Sequence, residues 1–355
     1  MANGSAGSGA AGERTTLDTV AKAAGVSRMT VSNAYNRPDQ LSATTRAHVL
    51  EVALLLGYQG PDPTAASLRL RRTGTVGVVL TERLPYAFTD PGMVSILHGI
   101  ATELSSTGNA LLLVPSSRPD GQSLLRHAMV DGLILCSIDE ADTSVAAALG
   151  RHLPVVTVGS PRLAKVPWVG VDNCRAAAVV ANHFLALGHR RFSAVSTPVG
   201  EKSGPSRPLF VQRVEGFRDA LVAKGVSIDA FEVLNAAENS WAAGHELGRQ
   251  LLDRPADKRP TAVFAVTDIM ALGIIDAVTE LGASVPGDFS VVGFDGIPES
   301  ATSTPPLTTV SQRLFTHGSA AARLVLQMIA GKKVRSPRFS AHLEIRASTG
   351  SPKEL

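Results

Sequence analysis

The stretch Thr16-Leu-Asp-Thr-Val-Ala-Lys-Ala-Ala-Gly25-Val26-Ser27-Arg-Met-Thr-Val-Ser-Asn-Ala-Tyr35 decides how the front of this chain folds. Leu17, Val20, Ala21 and Ala24 fall at i, i+3, i+4 and i+7, giving a first helix one apolar face. Thr16 suits the N-cap of that helix, and Ser27 that of the next. Gly25 supplies the backbone freedom a tight interhelical turn needs. In the second helix Val31 and Ala34 can pack inward, while Arg28 with Ser32, and Met29 with Asn33, are i, i+4 pairs facing outward. Such a helix fits the major groove of DNA, where Asn and Arg pair with adenine and guanine edges. The hydroxyls of Thr30, Ser32 and Thr45 suit phosphate contacts, which position without specifying. An ordinary helical hairpin with a polar surface would show the same pattern.

Charge supports a polyanionic partner. The chain has 355 residues and a net charge of +3. Up to Arg72 eight basic residues face five acidic ones, so the whole excess sits at the front and the rest is neutral. Val49, Val52, Ala53 and Leu56 repeat the helical spacing before Gly57, so residues 15–60 are expected to form an all-α domain. Residues 1–14, rich in Gly, Ala and Ser, read as a disordered tail. Residues 61–74, with Pro61, Pro63 and Arg69–Arg72, read as a linker with a short hinge helix.

Beyond Gly74 short apolar runs alternate with longer amphipathic ones. Thr75–Leu80, Ala110–Val114, Gly132–Leu135, Val155–Val158, Phe192–Val195, Ala262–Val266, Ser290–Gly293 and Leu343–Ile345 read as buried parallel strands. Between them Met93–Ser106, Cys174–Leu187, Val211–Lys224, Trp241–Leu252, Ile269–Leu281 and His317–Ile329 read as helices. Some 270 residues of βα units exceed one sheet, so two doubly wound subdomains with a ligand cleft between them are expected.

The run Thr16–Tyr35, followed by Asn36, Leu41-Ser42, Thr45-Arg46 and Leu56-Gly57-Tyr58, closely resembles the DNA-binding domain of the lactose-repressor (LacI/GalR) family. Ala65-Ala66-Ser67-Leu68 resembles that family's hinge helix, in which Leu68 matches a leucine wedged into the minor groove. The likeness continues through Val169–Asn173, Leu187–Phe192, Arg213–Phe217, Thr267–Gly273, Val291–Gly296 and Pro306–Val310. It implies an α/β periplasmic-binding-protein-like core over 75–347. One subdomain would span about 75–172 and 310–338, the other about 173–309 and 339–347, with 348–355 as a tail.

The resemblance also implies roles. Operator contacts fall on Thr16, Ser27, Arg28, Met29, Thr30, Ser32, Asn33, Asn36, Thr45 and Leu68. Effector contacts fall on Arg213, Asp295 and a stacking Trp241, with Tyr86, Phe88, Asp90 and Asp268 in the walls. A capping or core role is the alternative for each, and His189 is read as structural. The implied protein is a dimeric, cytoplasmic transcription regulator, a repressor of a palindromic operator under control of a sugar-like effector. No membrane partner, metal or cofactor is expected.

Other classes find less support. Gly7-Ser-Gly9-Ala-Ala-Gly12 fits a dinucleotide fingerprint, but no strand precedes it. Walker, H-E-x-x-H and G-x-S-x-G patterns are absent from the sequence, so enzymatic turnover is not expected. The N-terminus lacks the basic start and apolar core of a signal peptide, which weighs against a free-standing transport protein. Cys136 and Cys174 are too few for a disulfide framework and read as small apolar fillers.

Overall fold

Thr16 starts α1 (Leu17–Ala24) with a capping box: its hydroxyl accepts from the Thr19 N–H, and the Thr19 hydroxyl accepts from Thr16 N. Gly25 ends the helix at φ 65°. Ser27 then caps α2 (Arg28–Asn36) and Ser42 caps α3 (Ala43–Leu55). Val20, Ala21, Ala24, Val31, Ala34, Val49, Ala53 and Tyr58 form their shared core. Tyr35 meets Tyr58 edge-on at 5.9 Å, and Arg46 Nε donates to the Ala34 carbonyl at 3.3 Å.

The computed structural model describes residues 15–60, 72–80, 84–116, 124–198 and 208–353. The chain divides into one unit up to Thr73 and another from Gly74. The expected tail 1–14 lies outside the described residues, as do 61–71 of the expected hinge, Leu68 among them.

The second unit holds two sheets. The first contains β1 (Thr75–Leu80), β2 (Ala110–Pro115), β3 (Gly132–Cys136), β4 (Val155–Val158) and β5 (Trp168–Val169), all parallel and ordered β2-β1-β3-β4-β5. Helices α4 (Pro91–Ser106) and α5 (Thr143–Leu149) belong to this N lobe. The chain crosses after Val169 into the C lobe, with α6 (Asn173–Ala186), α7 (Pro208–Ala223), α8 (Trp241–Leu252), α9 (Asp268–Glu280) and the short α10 (Glu299–Thr302). Its strands are β6 (Phe192–Ser196), β7 (Phe231–Asn235), β8 (Ala262–Ala265), β9 (Ser290–Asp295) and β10 (Thr308–Ser311). A second crossing after Ser311 returns the chain to the N lobe as α11 (Leu314–Ile329). A third leads to β11 (His342–Glu344), which completes the order β11-β10-β9-β8-β6-β7.

Helices α4 and α11 pack backbone to backbone in the N lobe. A Cβ on Gly99 would lie 2.0 Å from the Phe315 carbonyl oxygen, and one on Gly318 2.0 Å from that of Ile96. Each lobe has its own core, the larger centred on Phe184, Phe217, Phe264 and Phe294 in the C lobe.

Four expectations need correction. Leu343–Ile345 is not a buried parallel strand: β11 runs antiparallel to β10 at the sheet edge and is half-exposed. The pattern missed β7, whose Phe-Glu-Val-Leu-Asn is a partly exposed edge strand, and β10, whose buried Thr-Thr-Val-Ser is mostly polar. The second crossing comes after Ser311, so Val310 belongs to the C lobe. Residues 348–353 are not a free tail. Ser348 is fully buried, its hydroxyl donating to the Val291 carbonyl at 2.6 Å and accepting from Thr308 N at 2.8 Å, and Lys353 pairs with Asp288 at 2.7 Å.

Candidate functional site

Two regions of the chain gather the residues singled out from the sequence. The first is α2. With Val31 and Ala34 turned into the core, Arg28 and Met29 stand exposed, Met29 at 72%. Ser32 and Asn33 are half-buried beside them, and Asn36 is exposed. Asn33 reaches the Gln40 side chain at 3.4 Å, a long bond that DNA can replace, and Asn36 donates to the Ser32 carbonyl at 3.1 Å. Arg28 lies 3.5 Å from Asp18, both well exposed, so the pair is weak and separable. Thr16, Ser27 and Thr45 are tied into caps: Ser27 accepts from Thr30 N at 3.0 Å, and the Thr45 hydroxyl lies 2.7 Å from Ser42 Oγ. Their first role is to place the helix ends, whose free N–H groups favour phosphate.

The second region is a cleft of about 950 Å³, open solvent included, between the two lobes. Arg213, on α7, is 3% exposed. Its Nε donates to Asn173 Oδ1 at 3.0 Å, and its Nη1 to the Val266 carbonyl at 2.5 Å and to Asp295 Oδ1 at 3.2 Å. The guanidinium lies over the Phe294 ring, 3.8 Å from its centre. Asp295 ends β9 at φ 129°, a strained backbone for any side chain but Gly, and also accepts from Gln312 Nε2 at 2.8 Å. Burial raises the Asp295 carboxyl above its ordinary range, with Arg213 pulling it back.

The N lobe answers across the gap. Asp90 caps α4 by accepting from Gly92 N at 2.9 Å, and its other oxygen accepts the Tyr86 hydroxyl at 3.2 Å. A Cβ on Gly92 would stand 3.5 Å from Asp295 Oδ2, so the first turn of α4 faces that carboxylate. Asn239, from the loop before α8, donates to Tyr86 Oη at 2.7 Å and accepts from the Thr267 hydroxyl at 2.6 Å. His317, on α11, lines the same cleft at 2% exposure. Its ring packs 4.5 Å from that of Phe339, and its Nε2 has no partner among the described residues. Burial pushes its pKa down to about 4.

Arg213, Asp295, Tyr86 and Asp90 therefore share one cavity, and three expected contacts do not. Asp268 is fully buried and braces a loop: it accepts from Gly296 N at 2.8 Å, from Ile297 N at 2.9 Å and from the Thr309 hydroxyl. Burial pushes its carboxyl up to about 6, opposed by those bonds. Trp241 is the first residue of α8 and is exposed. Its indole N–H donates to Asp276 at 2.7 Å and its ring lies 4.8 Å from His245. Phe88 ends the short Tyr86–Phe88 turn and is 64% exposed.

The comparisons agree with this geometry. Residues 16–60 match the model of bacterial regulatory proteins of the lacI family, and residues 181–349 match a periplasmic binding protein-like domain. An HTH-type transcriptional regulator of Mycobacterium tuberculosis is 38% identical over 330 residues, covering 88% of this chain and 91% of that protein. The chain belongs to the LacI family.

As a LacI-family transcription regulator it carries its DNA-binding helix-turn-helix in α1 and α2. The Escherichia coli transcriptional repressor CytR is 31% identical over 345 residues, covering 94% of this chain and 96% of that protein. A solved complex of the regulator CelR with cellobiose matches with a TM-score of 0.62 and 30% identity, over 94% of this chain and all of that one. No described helix is long and apolar enough to cross a membrane.

The LacI-family cleft holds residues the sequence reading had not named as contacts. Asn173 closes the Val169–Asn173 stretch, and Gln312 follows Pro306–Val310 by two residues, so both stood beside recognised motifs. Behind the wall, Asn239 stands one residue before a capping serine and bonds to Tyr86 of the lining. For His317 the sequence offered no signal beyond a helical pattern. His189 is structural, as read: Nδ1 meets Thr261 at 2.9 Å and Nε2 meets the Gly350 carbonyl at 2.9 Å. Cys136 is a buried filler, its thiol pushed up to about 12 by burial, whereas Cys174 is exposed near the start of α6 and fills nothing.

Proposed function

We propose that this protein represses transcription by binding a palindromic operator as a homodimer, and that a sugar or similar polyol entering the cleft changes its hold on DNA. The observation that carries this is the buried cluster of Arg213, Asp295, Asn173 and Gln312 facing Asp90 across the lobes. Carboxylate, guanidinium and amide groups in fixed array match the donors and acceptors of vicinal hydroxyls. The relatives support the reading, CytR by its name as a repressor and CelR by its cellobiose complex.

Two copies related by a two-fold axis would place two α2 helices on two half-sites. Effector and operator each favour one arrangement of the lobes, so each alters affinity for the other by the same factor. A differential of a few kcal/mol suffices to empty or fill the operator. The protein acts by binding rather than by turnover, without cofactor, in the cytoplasm.

Footprinting on its own promoter and on neighbouring operons, with and without a panel of sugars and polyols, tests the proposal. A protected palindrome whose occupancy responds to a panel member is the expected result. Absence of any specific protection would sink it, and chemical conversion of a panel sugar would point to an enzyme instead.

A further inference from the structure

A basic strip follows one edge of the N lobe. After α11 the chain runs Lys332-Lys-Val-Arg-Ser-Pro-Arg338, four cations in seven residues with no acid among them. Lys332, Lys333, Arg335 and Arg338 are exposed, whereas Val334 and Phe339 pack on the N-lobe core and hold the segment down. Trp168, which opens the edge strand β5, donates its N–H to Ser336 Oγ at 2.9 Å. That bond sets the segment beside the loop before β5, where exposed Arg162 and Lys165 add two cations and again no acid. The Arg162 guanidinium lies 4.8 Å from the centre of the Trp168 ring. None of the six forms an ion pair with another of the described residues.

The strip starts at the end of the lobe where the chain arrives from the helix-turn-helix unit. β1 opens at Thr75, and its Val76 pairs with Gly132 at the start of β3. A Cβ on Gly132 would lie 3.1 Å from Ile329 Cδ1, three residues before Lys332. Lys332 therefore stands where the strands begin, whereas Leu80, Cys136 and Val158 at their far ends line the cleft. Since the chain beyond Arg72 is neutral, these charges are gathered on one face rather than in surplus. Lysine often guards the edge of a sheet. A two-residue edge strand needs one such guard, not six.

We propose that this strip is a second, sequence-independent DNA contact, whose cations lie along the phosphates of duplex outside the half-sites read by α2. The inference goes beyond the operator reading and rests on it for bringing a duplex to this face. Each phosphate neutralised releases condensed counterions, so the contact adds salt-sensitive affinity without base preference.

Anisotropy titration of the full-length protein tests it on three duplexes: one of random sequence, the palindrome protected in its own promoter, and that palindrome with random flanks added. At low salt the flanked palindrome is expected to bind about tenfold more tightly than the bare one. The quadruple variant Lys332→Gln/Lys333→Gln/Arg335→Gln/Arg338→Gln should abolish that advantage and keep affinity for the bare palindrome. Its slope of log affinity against log salt should fall by about 3 on the flanked and random duplexes, at about 0.9 per phosphate. Arg162→Gln/Lys165→Gln, on an exposed loop, should lower the slope by about 2 and serves should the quadruple variant fold poorly. An unchanged slope and flank advantage would overturn the inference while leaving operator binding in place. Variants that merely self-associate, with DNA affinity intact, would do the same and mark the strip as an edge guard. Should footprinting protect no palindrome, the operator reading fails, and the slope on the random duplex alone upholds or overturns the strip.

Discussion

The side-chain amide of Asn239 donates to the phenol oxygen of Tyr86 at 2.7 Å and so ties the two lobes together beside the cleft. Thr267 donates to the amide oxygen at 2.6 Å, and the Tyr86 hydroxyl donates in turn to Asp90, the cap of α4. One line of hydrogen bonds thus runs from the C lobe to the first turn of an N-lobe helix.

Asn239→Ala breaks that line in the middle. Loss of a hydrogen bond of this kind costs about 1 kcal/mol. The half-saturating effector concentration in an operator-release titration should therefore move about fivefold. Tyr86→Phe should move it the same way, and the double variant should shift less than the sum of the two. Additive shifts would show that the residues act independently.

Arg213→Ala leaves Asp295 buried without its cation. Removing one partner of a buried ion pair costs about 3–5 kcal/mol, so urea unfolding should show a loss of that order. The same variant should lose the effector response and keep operator binding. A normal response would place the effector elsewhere.

Asn33→Ala removes an amide from the outward face of α2, where its free-state bond to Gln40 is only 3.4 Å. A base-reading contact carries about 1–3 kcal/mol of discrimination. Gel shifts on operators with single-base changes should show preference at one position falling tenfold or more, with effector affinity retained. Met29→Ala, on a side chain 72% exposed, should leave stability within about 0.5 kcal/mol and weaken operator binding.

His317 gives the protein an acid-sensitive component. Its folded pKa of about 4 lies below the ordinary value of 6.5. Its contribution is therefore complete above pH 6.5 and is lost as pH falls toward 4, up to about 3 kcal/mol. Asp268, raised to about 6, runs the other way, favouring the fold at low pH and losing that contribution as pH rises through 6. The difference in stability between the wild type and His317→Leu isolates the histidine. It should favour the variant increasingly between pH 6.5 and 4, and a pH-independent difference would refute the assignment.

How legible the molecule was depended on how local each signal is. The caps Thr16 and Ser27, the turn at Gly25 and strands such as Thr75–Leu80 follow from neighbours in the chain, and they stand where the pattern put them. Strands β7 and β10 escaped because an edge strand need not be apolar, and a central strand can bury threonines that find partners, as Thr309 finds Asp268. Arg213 and Asp295 were legible through their motifs. Trp241 follows the capping Ser240 and gives its indole N–H to Asp276, whereas Asn239, two residues before it, bonds to Tyr86 of the cleft wall. The role of His317 depends on a crossing between lobes, which no local pattern encodes.

The three crossings have a practical consequence. Each lobe is built on its own core, so a change made in one reaches the other only through those crossings and the groups that meet across the cleft. The molecule is in effect two plates on a three-leaf hinge, and stiffening one leaf would retune the pair without touching the wall of the cleft.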